Sequence, residues 1–153
     1  MANMTKQDEA ADRIAIRELV DAYAHCADRR QAEGQMALFT EDTNFEVFMD
    51  SSKPEPTYAL HGRAALAPIF EALRQYQATT HFNGQSTLRI NGDRATGESY
   101  CIAHHLTVDG DQQTLMVASI RYLDQFVKQG GRWLFSERKL MVDWTDTRNS
   151  VSA

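Results

Sequence analysis

Apolar residues near the start of the chain recur at helical spacing. Ile16, Leu19, Val20, Tyr23 and Ala27 fall at i, i+3, i+4, i+7 and i+11, one stripe of an amphipathic helix. The pattern predicts a helix near Lys6 to Arg30, with Thr5, Asp8 and Glu9 supplying capping and acidic chemistry at its start. A short second helix follows around Glu33 to Phe39, and Thr43 to Phe48 reads as a strand with Phe45 and Val47 on one face. Pro54 and Pro56 make Lys53 to Thr57 a loop. A third helix is expected over Gly62 to Tyr76, striped by Leu66, Ile69, Phe70 and Leu73, with Pro68 kinking it or marking its true first turn.

The periodicity then changes to that of strands, at about Thr79–Ile90, Arg94–Val108, Gln113–Lys128 and Arg132–Trp144. Asn91-Gly92-Asp93, Asp109-Gly110-Asp111 and Gly130-Gly131 separate them as hairpin-like turns, so the sheet should be largely antiparallel. Helices first and strands after give an α+β architecture in which a curved sheet wraps helices. One domain is expected over residues 1–147, followed by a small, polar, disordered tail at 148–153.

The Arg94–Val108 strand alternates unevenly. Ala95, Gly97, Ser99, Cys101, Ala103, His105 and Thr107 share one face, nearly all small, with a single histidine among them. That face either receives a closely packed helix or walls a pocket with His105 as its polar tip. The opposite face carries Tyr100, Ile102, Leu106 and Val108, an apolar patch suited to self-association.

Composition narrows the classes. With 153 residues, 42% of them hydrophobic, the chain can build its own core without a disulfide or metal staple. A net charge of −5 and no block of Lys or Arg exclude the footprint of a nucleic-acid binder. The basic pairs Arg29-Arg30 and Arg138-Lys139 read as solvated surface. No apolar run approaches the ~20 residues that span a bilayer, and Met1 to Ala11 lacks the apolar core of an export signal. Cys26 and Cys101 form no CxxC pattern and read as buried thiols in a reducing, cytoplasmic compartment.

Five histidines are available. His25 lies opposite the apolar stripe, His61 precedes Gly62 in a loop, and His104 and His105 point to opposite faces, so they cannot share a metal. No HxH, HExxH, phosphate loop or nucleophile elbow is present. His81 opens a strand, on the face of Asn83 and Gln85. Asp28 sits at the edge of the stripe near the end of the first helix, where the helix dipole disfavours an anion.

Tyr23 with Asp28 five residues on, followed by Leu38-Phe39-Thr40-Glu41-Asp42, resembles the opening of the SnoaL-like family. Leu60-His61-Gly62-Arg63, Thr80-His81-Phe82-Asn83-Gly84, Gly131-Arg132-Trp133 and Val142-Asp143-Trp144 continue the resemblance over about Arg13 to Arg148. It implies the cystatin-like, NTF2-like fold: a curved antiparallel sheet forming a cone-shaped barrel, closed by three N-terminal helices around an apolar pocket. In the scytalone dehydratase branch, an Asp near the end of the first helix pairs with a His opening a strand, and Asp28 and His81 match those positions. His105, eight residues after Gly97, matches a second pocket histidine. Ala27 and Phe45 stand where that branch has tyrosines, whereas Tyr23 resembles the Tyr–Asp spacing of bile-acid dehydratase relatives.

The resemblance implies catalytic roles for Asp28, His81, His105 and Tyr23. The expected chemistry is proton abstraction, without cofactor or metal, from a small hydrophobic ring-containing substrate by a lyase or isomerase. A polyketide-type aldol cyclase is the second enzymatic reading. A non-catalytic binding or assembly module, like the small subunits of ring-hydroxylating dioxygenases, is the third. It predicts that Asp28 and His81 stand apart, or that bulky side chains fill the pocket. A homo-oligomer, dimer or trimer, is expected through the outer face of the sheet, with no nucleic-acid or membrane partner.

Overall fold

The computed structural model describes residues 5–150. Helix α1 (Lys6–Asp28) starts on a reciprocal cap: Thr5 Oγ1 accepts from the Asp8 backbone N–H at 3.1 Å, and the Asp8 carboxylate accepts from that of Thr5 at 3.0 Å. The predicted stripe, Ile16, Leu19, Val20, Tyr23 and Ala27, is buried, together with Asp12, Ala24 and Cys26. The helix stops where Arg30 turns left-handed at φ 58°. There the Gln31 N–H returns to the Cys26 carbonyl at 2.9 Å and the Arg30 N–H to Ala27 at 3.3 Å, a Schellman ending.

Helix α2 (Ala32–Met36) is shorter than expected because Phe39 already belongs to strand β1 (Phe39–Phe48). The short edge strand β2 (Tyr58–His61) follows the proline loop, and nothing in its four residues announced it. The third helical segment is broken into a 3-10 turn (Arg63–Leu66), helix α3 (Ala67–Glu71) and a second 3-10 turn (Ala72–Gln75). Pro68 lies in the first turn of α3, where its missing N–H costs nothing. The remaining strands are β3 (Ala78–Asn91), β4 (Arg94–Asp109), β5 (Gln112–Gln129) and β6 (Arg132–Ser150). Gly130 and Gly131, at φ 57° and 77°, make the tight left-handed turn that joins β5 to β6. Arg148, Asn149 and Ser150, expected in the tail, instead pair with Leu115, Thr114 and Gln113; 151–153 lie outside the described residues.

The sheet runs β2-β1-β6-β5-β4-β3, antiparallel except for the β1–β6 pair. Bulges in β3 after Asn83, and along the β5–β6 ladder, add twist and curl it into a cone. The expected barrel does not close, because α1 rather than β2 takes the free side of β3. Arg17 donates to the Gly84 carbonyl at 2.9 Å, Arg13 to that of Leu88 at 3.3 Å, and Asn83 to Asp21 at 2.9 Å. Asp12 ties the start of α1 to the β5–β6 hairpin, accepting from Trp133 Nε1 at 2.8 Å and Lys128 Nζ at 2.9 Å. Asp12→Ala strands the buried Trp133 N–H and should cost about 1–3 kcal/mol in urea unfolding; a cost within error of zero would show that the tether does not support the fold. Among the described residues, no helix is long and apolar enough to cross a membrane.

The small face of β4 does point inward: Ala95, Ser99, Cys101, Ala103 and His105 are all buried. Gly97 is compelled, since a Cβ there would stand 2.7 Å from the Thr87 carbonyl oxygen. Yet the deep cone is filled rather than hollow. Tyr23 meets Phe39, Phe70, Tyr122 and Phe135 edge-on at 5.7–6.1 Å. Arg138, read from sequence as solvated, is completely buried in this aromatic cluster. Its guanidinium carbon lies 3.8 Å from the Tyr122 ring and 4.2 Å from those of Tyr23 and Phe135. Asp124, its cross-strand neighbour, holds it with two bonds of 2.8 and 2.9 Å.

Candidate active site

The chain brings Asp28, at the C-terminal end of α1, onto the first residues of β3. Its Oδ1 accepts from His81 Nδ1 at 2.7 Å and from the Thr79 hydroxyl at 3.0 Å, and its Oδ2 accepts from the His81 backbone N–H at 2.9 Å. Strand alternation explains the convergence, because Thr79 and His81 share one face of β3. Burial would raise the Asp28 carboxyl, but the bonds from His81 and Thr79 together outweigh it and hold the carboxyl below its ordinary value. An ionised Asp28 can only accept, so the His81 proton sits on Nδ1 and the lone pair on Nε2. The imidazole is nearly buried, at 7% exposure, and its Nε2 has no hydrogen-bond partner among the described residues.

His105 flanks the pair from β4. Its ring lies 5.8 Å from that of His81, edge to face, and 4.8 Å from Tyr76. Burial, reinforced by the neighbouring His81, depresses it from 6.5 to about 4, so it is neutral at pH 7. Its Nδ1 is buried with no partner, a polar atom still to be used. Three of the four candidate residues therefore stand together.

Tyr23 stands in the aromatic cluster instead, against Arg138, and no hydrogen bond joins it to His81 or Asp28 among the described residues. Burial pushes its phenol up to about 12, so it keeps its proton at neutral pH. Cys101 links the two regions: its thiol, pushed up to about 11 by burial, feels Arg138, Tyr122 and Asp28. Both cysteines are buried and free.

The other histidines are placed apart. His25 is exposed, His104 faces the outer side of the sheet, and His61 binds the Asn44 amide oxygen through Nδ1 at 2.8 Å. One cavity, of about 130 Å³, opens between α1 and the β3–β4 ladder over Val20, Leu88, Ser99 and Phe126, and does not include the Asp28–His81 pair. Sequence reasoning missed Thr79, Arg30, Asp124 and Arg138. Alternation was the available signal: Ile120, Tyr122, Asp124 and Phe126 share the inward face of β5, and Thr79 shares that of His81.

A family model for the SnoaL-like domain matches residues 8–139. Among solved structures, a candidate scytalone dehydratase from Novosphingobium aromaticivorans superposes with a TM-score of 0.81 at 22% identity, covering 97% of this chain and 95% of that one. A hexachlorocyclohexane dehydrochlorinase, LinA type 2, gives a TM-score of 0.79 at 18% identity, covering 97% of each chain. The beta subunit of a candidate aromatic-ring-hydroxylating dioxygenase from N. aromaticivorans gives 0.74 at 22% identity, covering 89% of this chain and 92% of that one. At these identities the structural likeness is one of fold, the NTF2-like α+β cone. The match to the family model over most of its length makes this chain a member of the SnoaL-like family.

Proposed function

We propose that the protein is a lyase or isomerase, working without a cofactor, that removes a proton from an acidified carbon of a hydrophobic ring compound. The observation that carries this reading is the 2.7 Å bond from His81 Nδ1 to Asp28, which leaves Nε2 as a base. Asp28 fixes the tautomer and stabilises the imidazolium that forms. His105, neutral and with an unused ring nitrogen, donates to the developing oxyanion or to a departing hydroxyl. Tyr23, its proton retained, is the second donor of the reading, reached only by a substrate that enters the aromatic cluster. Scytalone and hexachlorocyclohexane, named for two structural neighbours, are both ring compounds, in keeping with this substrate class.

The test needs no known substrate. A panel of cyclic ketones and β-hydroxy ketones in D2O should reveal deuterium uptake or elimination by NMR, with His81→Ala slower by at least ~10²-fold. Equal rates for His81→Ala and the wild type would remove the base. An aldol cyclase would use the same base, and its ring-closed product would identify it.

A non-catalytic binding or assembly role draws on a different observation, the aromatic filling of the deep cone, and on the likeness to the dioxygenase beta subunit. Copurification with a larger metal-containing subunit would favour it. In either role the expected homo-oligomer would use the outer face, where exposed Phe82 and Trp144 lie in one cross-strand row with Ile102 and Ser119.

A further inference from the structure

Arg30 is the one non-glycine residue with positive φ among those described. It occupies the position after a helix end where glycine is preferred, and a side chain there strains the backbone. What the arginine does in return is visible in its contacts. Nη1 donates to the Ala27 carbonyl at 2.8 Å, to that of Asp28 at 3.4 Å and to Thr79 Oγ1 at 2.8 Å, and Nη2 reaches the Tyr76 carbonyl at 3.4 Å. The guanidinium thus caps the negative end of α1 and touches the start of β3 and the segment whose Tyr76 packs on His105.

The direction of the Thr79 hydroxyl follows from the donor inventory. A guanidinium only donates, so Thr79 Oγ1 must accept from Arg30; an ionised carboxylate only accepts, so the hydroxyl proton must go to Asp28. We infer that Arg30 and Thr79 are positioning residues, a relay running from Arg30 through Thr79 to Asp28 that keeps the carboxylate ionised and aimed at His81. The inference rests on the reading of Asp28 and His81 as a catalytic pair. It also accounts for an anion at the C-terminal end of a helix, where the dipole opposes it: the left-handed Arg30 folds its cation back over those same carbonyls. The groups facing Asp28 are then His81 on β3, Cys101 and His105 on β4, and Arg30 after α1, with Arg74 holding the Arg30 carbonyl from the second 3-10 turn at 3.3 Å.

The test reads Asp28 itself, by 13C NMR titration of its carboxyl, and needs no substrate. Arg30→Asn keeps a residue that tolerates the left-handed backbone but is too short to reach Thr79. Thr79→Val removes the hydroxyl with little change of shape. Each should move the Asp28 midpoint upward and speed exchange of the His81 backbone amide about tenfold, the equivalent of one lost hydrogen bond. The double variant should show no more than the larger single effect, and Thr79→Ser should restore the wild-type titration.

A relay is overturned if Thr79→Val leaves the Asp28 midpoint unmoved, or if Arg30→Asn shifts it equally on the Thr79→Val background, which would mean a direct charge effect. Should Arg30→Asn fail to fold, Thr79→Val and Thr79→Ser decide alone. An unmoved titration removes the relay and leaves the base; equal deuterium uptake by His81→Ala removes the base and leaves the relay.

Discussion

Asp124→Ala should destabilise the protein by about 3–5 kcal/mol, because it leaves the fully buried Arg138 cation without its counter-charge. Against a total stability of about 5–15 kcal/mol for a domain of this kind, that loss brings the variant close to unfolding at room temperature. Arg138 cannot escape by shedding its proton, and its Nη1 already lacks a partner, so no reserve bond compensates. Replacing both members at once, Asp124→Leu with Arg138→Met, removes the charge and its counter-charge together and should recover most of the loss. Urea unfolding of the single and double variants measures both. A single variant losing under about 1 kcal/mol would mean that Arg138 finds water in its absence.

Acid should weaken the fold as His105 takes its proton. His105 takes its proton at about 4 when folded and near 6.5 when unfolded, so below 6.5 the unfolded chain binds more protons. The stabilisation is complete above that pH and is lost progressively down to about 4, by which point the loss is about 3 kcal/mol. Asp28, held below its ordinary value by the bonds it accepts from His81 and Thr79, adds its own loss at lower pH, as its carboxylate takes a proton. Urea midpoints at pH 7 and pH 4 should therefore diverge in the wild type and draw together in His105→Gln. Parallel curves for the two proteins would place the acid sensitivity in other groups. For the chemistry, the same depression means that His105 meets a substrate at neutral pH as a neutral donor.

Periodicity carried most of the fold. The stripe of α1 and the turn-formers between β3 and β6 located the long elements within a few residues, except that β6 runs six residues past its expected end at Trp144, because each buries one face and the period is written in the side chains. The edge strand β2 left no such trace: it is short and three of its four residues are exposed. Arg138 was misread because its neighbour Lys139 points outward, and because a bulge at Ser136 shifts the alternation from Trp133 and Phe135 to Arg138 and Val142. A pairwise rule on charges could not see that shift; the even-numbered apolar neighbours could. At the site, the meeting of Asp28 and His81 came from resemblance, since neither position alone distinguished itself. Nothing in the sequence pointed to Arg30, because its role depends on a backbone conformation that arginine seldom adopts.

The parallel pairing of β1 with β6 has a consequence for the order in which the chain can assemble. Thr43 and Ser136, bonded across that seam, are 93 residues apart, and β6 lies inside the sheet although it is synthesised last. As the protein leaves the ribosome, β3, β4 and β5 can form their meander early, and β2 can pair with β1, whereas the other side of β1 must wait for a neighbour that does not yet exist. Such long-range closure is slow. Until it occurs, Phe39, Phe45 and Val47 have no completed core to enter. A nascent chain halted before Arg132 would therefore present β1 as an open edge, the segment a holding chaperone would be expected to cover.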